Sequence, residues 1–216
     1  MGSVNSGVWQ QGNRVNAFFV ALLCFVILGG ISLLIIEKGD VLLLLSRHRL
    51  DFWDVFFKYF TLLGEAWAYL LVIIIFLFVE YRQVLFIPLL GGLVSGLAYL
   101  LKNYFHHPRP LLFFTRLGIM DSIPLVPGVI LHGGNSSFPS GHTLSAFALY
   151  AFLSFTVRSV WLQLFLFVVA FVVGFSRIYL AQHFLEDVYL GAIIGSLLGL
   201  VVYWLGNWAL NKTRKG

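Results

Sequence analysis

The sequence predicts an all-α, polytopic membrane protein. Hydrophobic residues make up 60% of the 216 residues and charged residues only 11%, whereas soluble domains carry about 25% charged residues. The stretch from Ala17 to Ile36 contains no charged residue and can cross a hydrocarbon core of about 30 Å as a helix. The length suits one compact helical domain.

The apolar stretches predict six spanning helices in one bundle, at about 17–36, 60–79, 84–101, 139–157, 160–177 and 187–206. The membrane domain is predicted at 17–210, with an N-terminal tail at 1–16 and a basic C-terminal tail at 211–216. Two connections are very short, so the three longer ones share one side of the membrane, opposite both termini. These longer connections are 37–59, 102–138 and 178–186.

The basic residues bear on orientation and on partners. When Lys102, Arg109 and Arg177 are set aside as groups retained for chemistry, the positive-inside rule favours cytoplasmic termini. The polar connections then face outward, and the compact size and short loops suggest a bacterial inner membrane. The net charge of +5 is scattered without a basic run, which argues against a nucleic-acid partner. The bilayer itself is the expected environment.

The stretch 41–60 predicts an amphipathic helix that lies along the membrane interface. Arg47–Asp51 and Asp54–Lys58 are spaced as ion pairs on its polar face. Glu65 follows near the start of the second span, where it is either a functional acid or an interfacial residue near Trp67. Two groups of glycines are predicted to let helix backbones pack closely: Gly91, Gly92 and Gly96, and Gly191, Gly195 and Gly199.

Polar residues converge on the predicted outer face from three segments. Lys102 and Arg109, in the pattern Lys-x6-Arg-Pro, direct two cations from one short segment. Pro139 suits the first turn of a helix, so the amides of Ser140, Gly141 and His142 predict an anion site at a helix N-terminus.

The third segment ends a span with Arg177 and continues to His183 and Asp187. Four residues apart on a helix, the last two share a face. A carboxylate there can hold one ring nitrogen of the histidine and leave the other free to attack. Glu186 is the rival partner for His183.

Three cations, a helix N-terminus and two histidines predict a site for phosphoryl transfer, which requires mainly positioning and neutralisation of charge. No cofactor is expected. The sequence offers neither convergent carboxylates nor a His/Cys set at ligand spacing for a metal, and it contains no P-loop.

The three motifs together resemble the signatures of the type 2 phosphatidic acid phosphatase superfamily: Lys-x6-Arg-Pro at 102–110, Pro-Ser-Gly-His at 139–142 and Ser-Arg-x5-His-x3-Asp at 176–187. The resemblance implies a metal-independent lipid phosphatase. It assigns His183 as the nucleophile that forms a phosphohistidine, Asp187 as its orienting carboxylate and His142 as the general acid. The implied phosphate-binding residues are Lys102, Arg109, Arg177, Ser140 and Gly141.

The motifs recognise phosphate, which every candidate lipid carries, so they do not identify the lipid. The candidates are undecaprenyl pyrophosphate, phosphatidylglycerophosphate, phosphatidic acid and lipid A phosphate. A lipid-linked phosphotransferase and a non-catalytic lipid binder or transporter remain alternatives. His106, His107 and His132 lie outside the motif positions and are interpreted as interface or loop residues.

Overall fold

The computed structural model describes residues 15–212. This part of the chain contains nine α-helices, and the predicted all-α membrane class is confirmed. The helices are α1 Ala17–Ile35, α2 Asp40–Arg47, α3 Asp51–Phe60, α4 Ala66–Val79, α5 Phe86–Phe105, α6 Pro110–Arg116, α7 Gly141–Ser154, α8 Val160–Tyr179 and α9 Leu185–Lys212. Most of the two predicted tails lies outside the described residues.

The number of spanning helices is four within the described residues by length and composition: α1, α8, α9 and the segment Tyr81–Arg116 that contains α5. A fifth arises if Asp51–Gly64 and Ala66–Val79, which meet at a bend of 57°, form one broken span. The remaining predicted span corresponds to α7, which has only 14 residues. The predicted count of six is therefore not confirmed.

Helix α7 lies at the centre of the bundle, where nearly its whole length is buried against α5, α8 and α9. Glycines make the approach of α9 possible, because a Cβ on Gly195 or Gly199 would overlap a carbonyl oxygen of α7. The prediction of close packing is correct for this stripe. It is wrong for Gly92 and Gly96 of α5, where an added Cβ would have no neighbour within 4 Å.

The Gly195→Ala variant is expected to lower the thermal unfolding midpoint of the detergent-solubilised protein. Its Cβ would overlap the Leu144 carbonyl oxygen, and forcing extra atoms into a packed core costs about 1–3 kcal/mol. Gly96→Ala is the matched control, because it adds the same methyl group to a helix with open space around it. An equal loss of stability in both variants would contradict this account of the α7–α9 contact.

The predicted interfacial helix at 41–60 is instead two helices, α2 and α3. Neither predicted ion pair is among those formed by residues 15–212. Arg47 ends α2 and Asp51 begins α3. Asp54 accepts a hydrogen bond of 2.6 Å from the Tyr179 hydroxyl. This hydrogen bond connects α3 to the last residue of α8, which lies within the third motif.

Candidate active site

The loop between α8 and α9 carries His183. Its main-chain N–H donates to the Arg177 carbonyl oxygen at 3.2 Å, and its Nδ1 lies 3.4 Å from Asp187 Oδ2, with side-chain exposures of only 2% and 0%. The pairing was predicted from helical spacing, but α9 begins at Leu185, so the loop rather than a helical face brings the two together. Since Nδ1 faces the carboxylate, Nε2 is the nitrogen left for chemistry.

Asp187 is held by two further donors. Its Oδ2 accepts hydrogen bonds from the Phe184 main-chain N–H at 2.8 Å and from the Ser137 hydroxyl at 2.5 Å. Burial outweighs the opposing effect of the carboxylate and lowers the pKa of His183 well below its ordinary range. The ring is therefore neutral at pH 7 and keeps the lone pair that a nucleophile needs. Ser137 belongs to none of the three motifs, and sequence reasoning missed it.

The three predicted cations surround this loop. The Arg109 guanidinium donates to Ser136 Oγ at 3.2 Å and to the Gln182 carbonyl oxygen at 3.4 Å. Arg177 Nη1 donates to Thr61 Oγ1 at 2.9 Å, while its buried Nε has no hydrogen-bond partner among the described residues. Lys102 lies one turn before the end of α5, and its Nζ would be 3.6 Å from a Cβ on Gly141. The cations thus gather at the start of α7.

The N-terminus of α7 differs in detail from the prediction. The helix begins at Gly141 with Ser140 as its N-cap, so Pro139 precedes the first turn. The Ser140 amide is already used, because it donates to the Asp187 carbonyl oxygen at 3.0 Å. The Ser140 hydroxyl oxygen accepts a hydrogen bond of 2.8 Å from the Thr143 hydroxyl, which leaves its own hydrogen for another acceptor. The free amides that face an anion are those of Gly141 and His142.

His142 contacts a residue outside the motifs. Its Nε2 lies 2.9 Å from Glu65 Oε1, and the two side chains are 29% and 36% exposed. The predicted span 60–79 is broken here: Thr61–Gly64 forms a 3-10 turn, and α4 starts after Glu65. The turn packs closely against α7: a Cβ on Gly64 would lie only 2.9 Å from the His142 carbonyl oxygen. Sequence reasoning left Glu65 undecided and did not single out Thr61.

A cavity of about 530 Å³ extends from this contact between α4 and α5. Glu65, Gly141 and His142 are part of its lining, and most of the remaining wall is apolar. The apolar residues of the wall include Leu70, Ile73, Val94 and Ala98. The cavity therefore has polar groups beside α7 and an apolar wall along α4 and α5.

The other polar residues considered in the sequence lie around this centre. Glu186 forms an ion pair with Lys38 Nζ at 2.7 Å. Asp187, rather than Glu186, is therefore the carboxylate beside His183. His106 is exposed at the end of α5, and the His107 ring packs 4.9 Å from that of Phe138. Partial desolvation lowers the pKa of His132, as do Arg109, Arg177 and Lys102, so this loop histidine lies within the field of the cations.

The donor set suits an anion. Residues 15–212 hold no group of three His, Cys, Asp or Glu side chains that could bind a metal ion. Arg109 and Arg177 instead lie near His183, and Lys102 Nζ lies beside Gly141, where two amides at the start of α7 are free. Such groups bind and neutralise phosphoryl oxygens.

The fold defines a helical, multi-pass membrane protein, and a cluster of cationic side chains lies near the start of α7. Residues 65–210 match the sequence model of the PAP2 superfamily, and the chain belongs to this superfamily. It is 36% identical over 89 residues to the lipid A 4'-phosphatase of Bacteroides thetaiotaomicron, covering 41% of this chain and 39% of that relative. The chain thus matches about two fifths of the length of this relative.

Two further similarities extend over more of the chain. The undecaprenyl-diphosphatase BcrC of Bacillus subtilis is 28% identical over 166 residues, which cover 74% of this chain and 77% of BcrC. The crystal structure of LpxE from Aquifex aeolicus superposes with a TM-score of 0.65 at 29% identity, covering 76% of this chain and 93% of LpxE.

Proposed function

We propose that the protein is a metal-independent lipid phosphate phosphatase that works through a phosphohistidine. The observation that carries the proposal is the position of His183. Its Nδ1 is backed by Asp187 at 3.4 Å, Arg109 and Arg177 lie near it, and Lys102 lies beside Gly141. The curated names of the relatives, a lipid A phosphatase and an undecaprenyl-diphosphatase, agree with this chemistry.

In the first step, the three cations, the Ser140 hydroxyl and the amides of Gly141 and His142 bind the phosphoryl oxygens. His183 Nε2 attacks phosphorus, and the bond from phosphorus to the leaving oxygen breaks. His142 donates a proton to that oxygen, so the lipid product leaves as an alcohol or, from a diphosphate, as a lipid monophosphate. Asp187 stabilises the charge that develops on the His183 ring.

In the second step, water attacks the phosphorus atom of the phosphohistidine. His142, now neutral, accepts a proton from this water. The P–N bond breaks, which releases inorganic phosphate and restores His183. Each proton given in the first step is thereby recovered in the second.

The proposed substrate is a membrane lipid that carries a phosphomonoester or diphosphate. The cavity between α4 and α5 is mostly apolar away from Glu65 and His142, so it can accept part of a lipid chain while the phosphate stays at α7. We place the site on the outer face of a bacterial inner membrane, with cytoplasmic termini, on the basis of the positive-inside rule.

Purified protein in detergent with excess EDTA is expected to release phosphate from at least one member of a lipid panel. The panel contains undecaprenyl pyrophosphate, phosphatidylglycerophosphate, phosphatidic acid and lipid A. Because the proposed charge neutralisation comes from Lys102, Arg109 and Arg177, chelation should change the rate by less than about twofold, whereas loss of a catalytic metal would remove several kcal/mol of stabilisation. Loss of turnover in EDTA that added Mg²⁺ restores would refute the metal-independent mechanism.

A further inference from the structure

Glu65 occupies an N-cap position but does not cap its helix. It precedes α4, where Ser, Thr, Asp or Asn ordinarily accepts hydrogen bonds from the first free amides, and it makes no side-chain capping bond. Its carboxylate turns to His142 Nε2 instead, at 2.9 Å. The Glu65 side chain thus contacts the proposed general acid rather than its own helix.

The backbone around Glu65 is fastened to α7, which carries His142. Gly64 packs against the His142 main chain, and the Tyr150 hydroxyl donates to the Leu63 carbonyl oxygen at 3.0 Å. On the other side of Glu65, the Tyr69 hydroxyl donates to the Ser145 carbonyl oxygen at 3.0 Å. The carboxylate therefore has a defined position relative to the imidazole ring.

The charges that act on His142 come from three elements. Glu65 approaches from the junction before α4, Lys102 from α5 and Arg177 from α8. Burial of the ring and the two cations oppose a positive charge on His142, and Glu65 is the one carboxylate among these three neighbours that favours it. A charge-assisted hydrogen bond to it favours the imidazolium and fixes the orientation of the ring.

We propose that Glu65 is a positioning residue that favours the protonated form of His142 and aims its ring at the leaving oxygen before phosphoryl transfer. This inference rests on the proposed function. In the imidazolium, one N–H is directed to Glu65 and the other proton is available for transfer. When the bond from phosphorus to oxygen breaks, this second proton passes to the leaving oxygen, and the neutral ring remains hydrogen-bonded to Glu65.

The role of Glu65 makes a specific prediction about leaving groups. A lipid alkoxide is strongly basic and needs a proton as it leaves, whereas p-nitrophenolate is stable as an anion near pH 7. General acid catalysis contributes about 10²–10⁴-fold where it is needed. A defect in the acid should therefore appear with an alkyl phosphate and nearly disappear with an activated aryl phosphate.

The test compares Glu65→Gln with the wild type on phosphatidic acid and p-nitrophenyl phosphate. The expected result is a fall in kcat of about 10- to 100-fold with the lipid and less than about threefold with the aryl ester. The alkaline limb of the pH–rate profile with the lipid should also move to lower pH, since less of His142 is protonated. Glu65→Asp keeps the charge and should recover part of the lost rate.

Glu80→Gln is the matched control, because it removes the same charge at the opposite end of α4; it should behave as the wild type. Equal losses on both substrates in Glu65→Gln, or no loss on either, would overturn the role of Glu65. A wild-type protein that hydrolyses neither a lipid phosphate nor p-nitrophenyl phosphate would instead refute the proposed function. The two failures are thus distinguishable.

Discussion

Replacing His183 with alanine is expected to lower kcat by about 10⁴-fold or more, as removal of a nucleophile does in other covalent mechanisms. Such a loss corresponds to about 5.4 kcal/mol of transition-state stabilisation. The variant retains the cations and amides that bind phosphate, so vanadate or phosphate should still bind. The measurement is phosphate release from the best lipid of the panel, together with binding of vanadate.

His48→Ala provides the control for loss of an imidazole, because His48 is exposed on the connection between α2 and α3. It should retain the wild-type rate. A His183→Ala protein that folds, binds vanadate and keeps more than a tenth of the wild-type kcat would rule out His183 as the nucleophile.

The Asp187→Asn variant is expected to lower kcat by about 10³-fold, since the charge that opposes the developing imidazolium is lost. The carboxylate oxygen near His183 also accepts from Ser137 and Phe184. The other oxygen, Oδ1, has no hydrogen-bond partner among the described residues, so an amide can keep the same acceptor and the variant tests mainly the loss of charge. Ser137→Ala removes only one of these bonds and should cost about tenfold, in keeping with one hydrogen bond to a charged group. Steady-state kcat on the same lipid measures both.

Asp121→Asn, at an exposed position between α6 and α7, controls for the loss of a carboxylate. The ordering of the variants is the informative result. A Ser137→Ala defect larger than that of Asp187→Asn would mean that the serine, rather than the carboxylate, governs His183.

The long helices could be predicted from sequence because charge-free stretches have few alternatives in a membrane protein. α1, α8 and α9 begin within about two residues of the predicted starts, inside the usual boundary error of about 2–4 residues. The sequence did not predict the breaks between α2, α3 and α4, because the helical pattern of apolar residues continues through them. The break at Gly64 depends on its fit against His142 and Val173, and sequence spacing does not contain that contact.

The candidate site was predictable where local motifs carry its residues. Lys102, Arg109 and His183 are recognisable by spacing, and the structure gathers them around the start of α7. Thr61 and Ser137 could not be found in the same way, because a single hydroxyl residue next to an apolar or glycine-rich stretch is common. Their role depends on partners that are distant in sequence, such as Arg177 for Thr61.

His183 lies beside Asp187, as the sequence predicted, but the two residues are not on one helix, because α9 begins only at Leu185. Helical spacing would place both on one face, whereas the loop turns His183 back before α9 begins. Main-chain bonds from Gln182 and His183 to the Arg177 carbonyl oxygen hold this loop. The cation and the nucleophile of the third motif are therefore positioned by one backbone feature.

The central claim is that the phosphoryl group passes through His183, and direct trapping tests it best. Wild-type protein mixed with lipid substrate would be quenched in alkali, where phosphohistidine is preserved, then digested and analysed by mass spectrometry. A phosphate on the peptide that contains His183, absent from His183→Ala, is the expected result. Turnover with no phosphorylated enzyme at any quench time, or with phosphate on another residue, would contradict the mechanism.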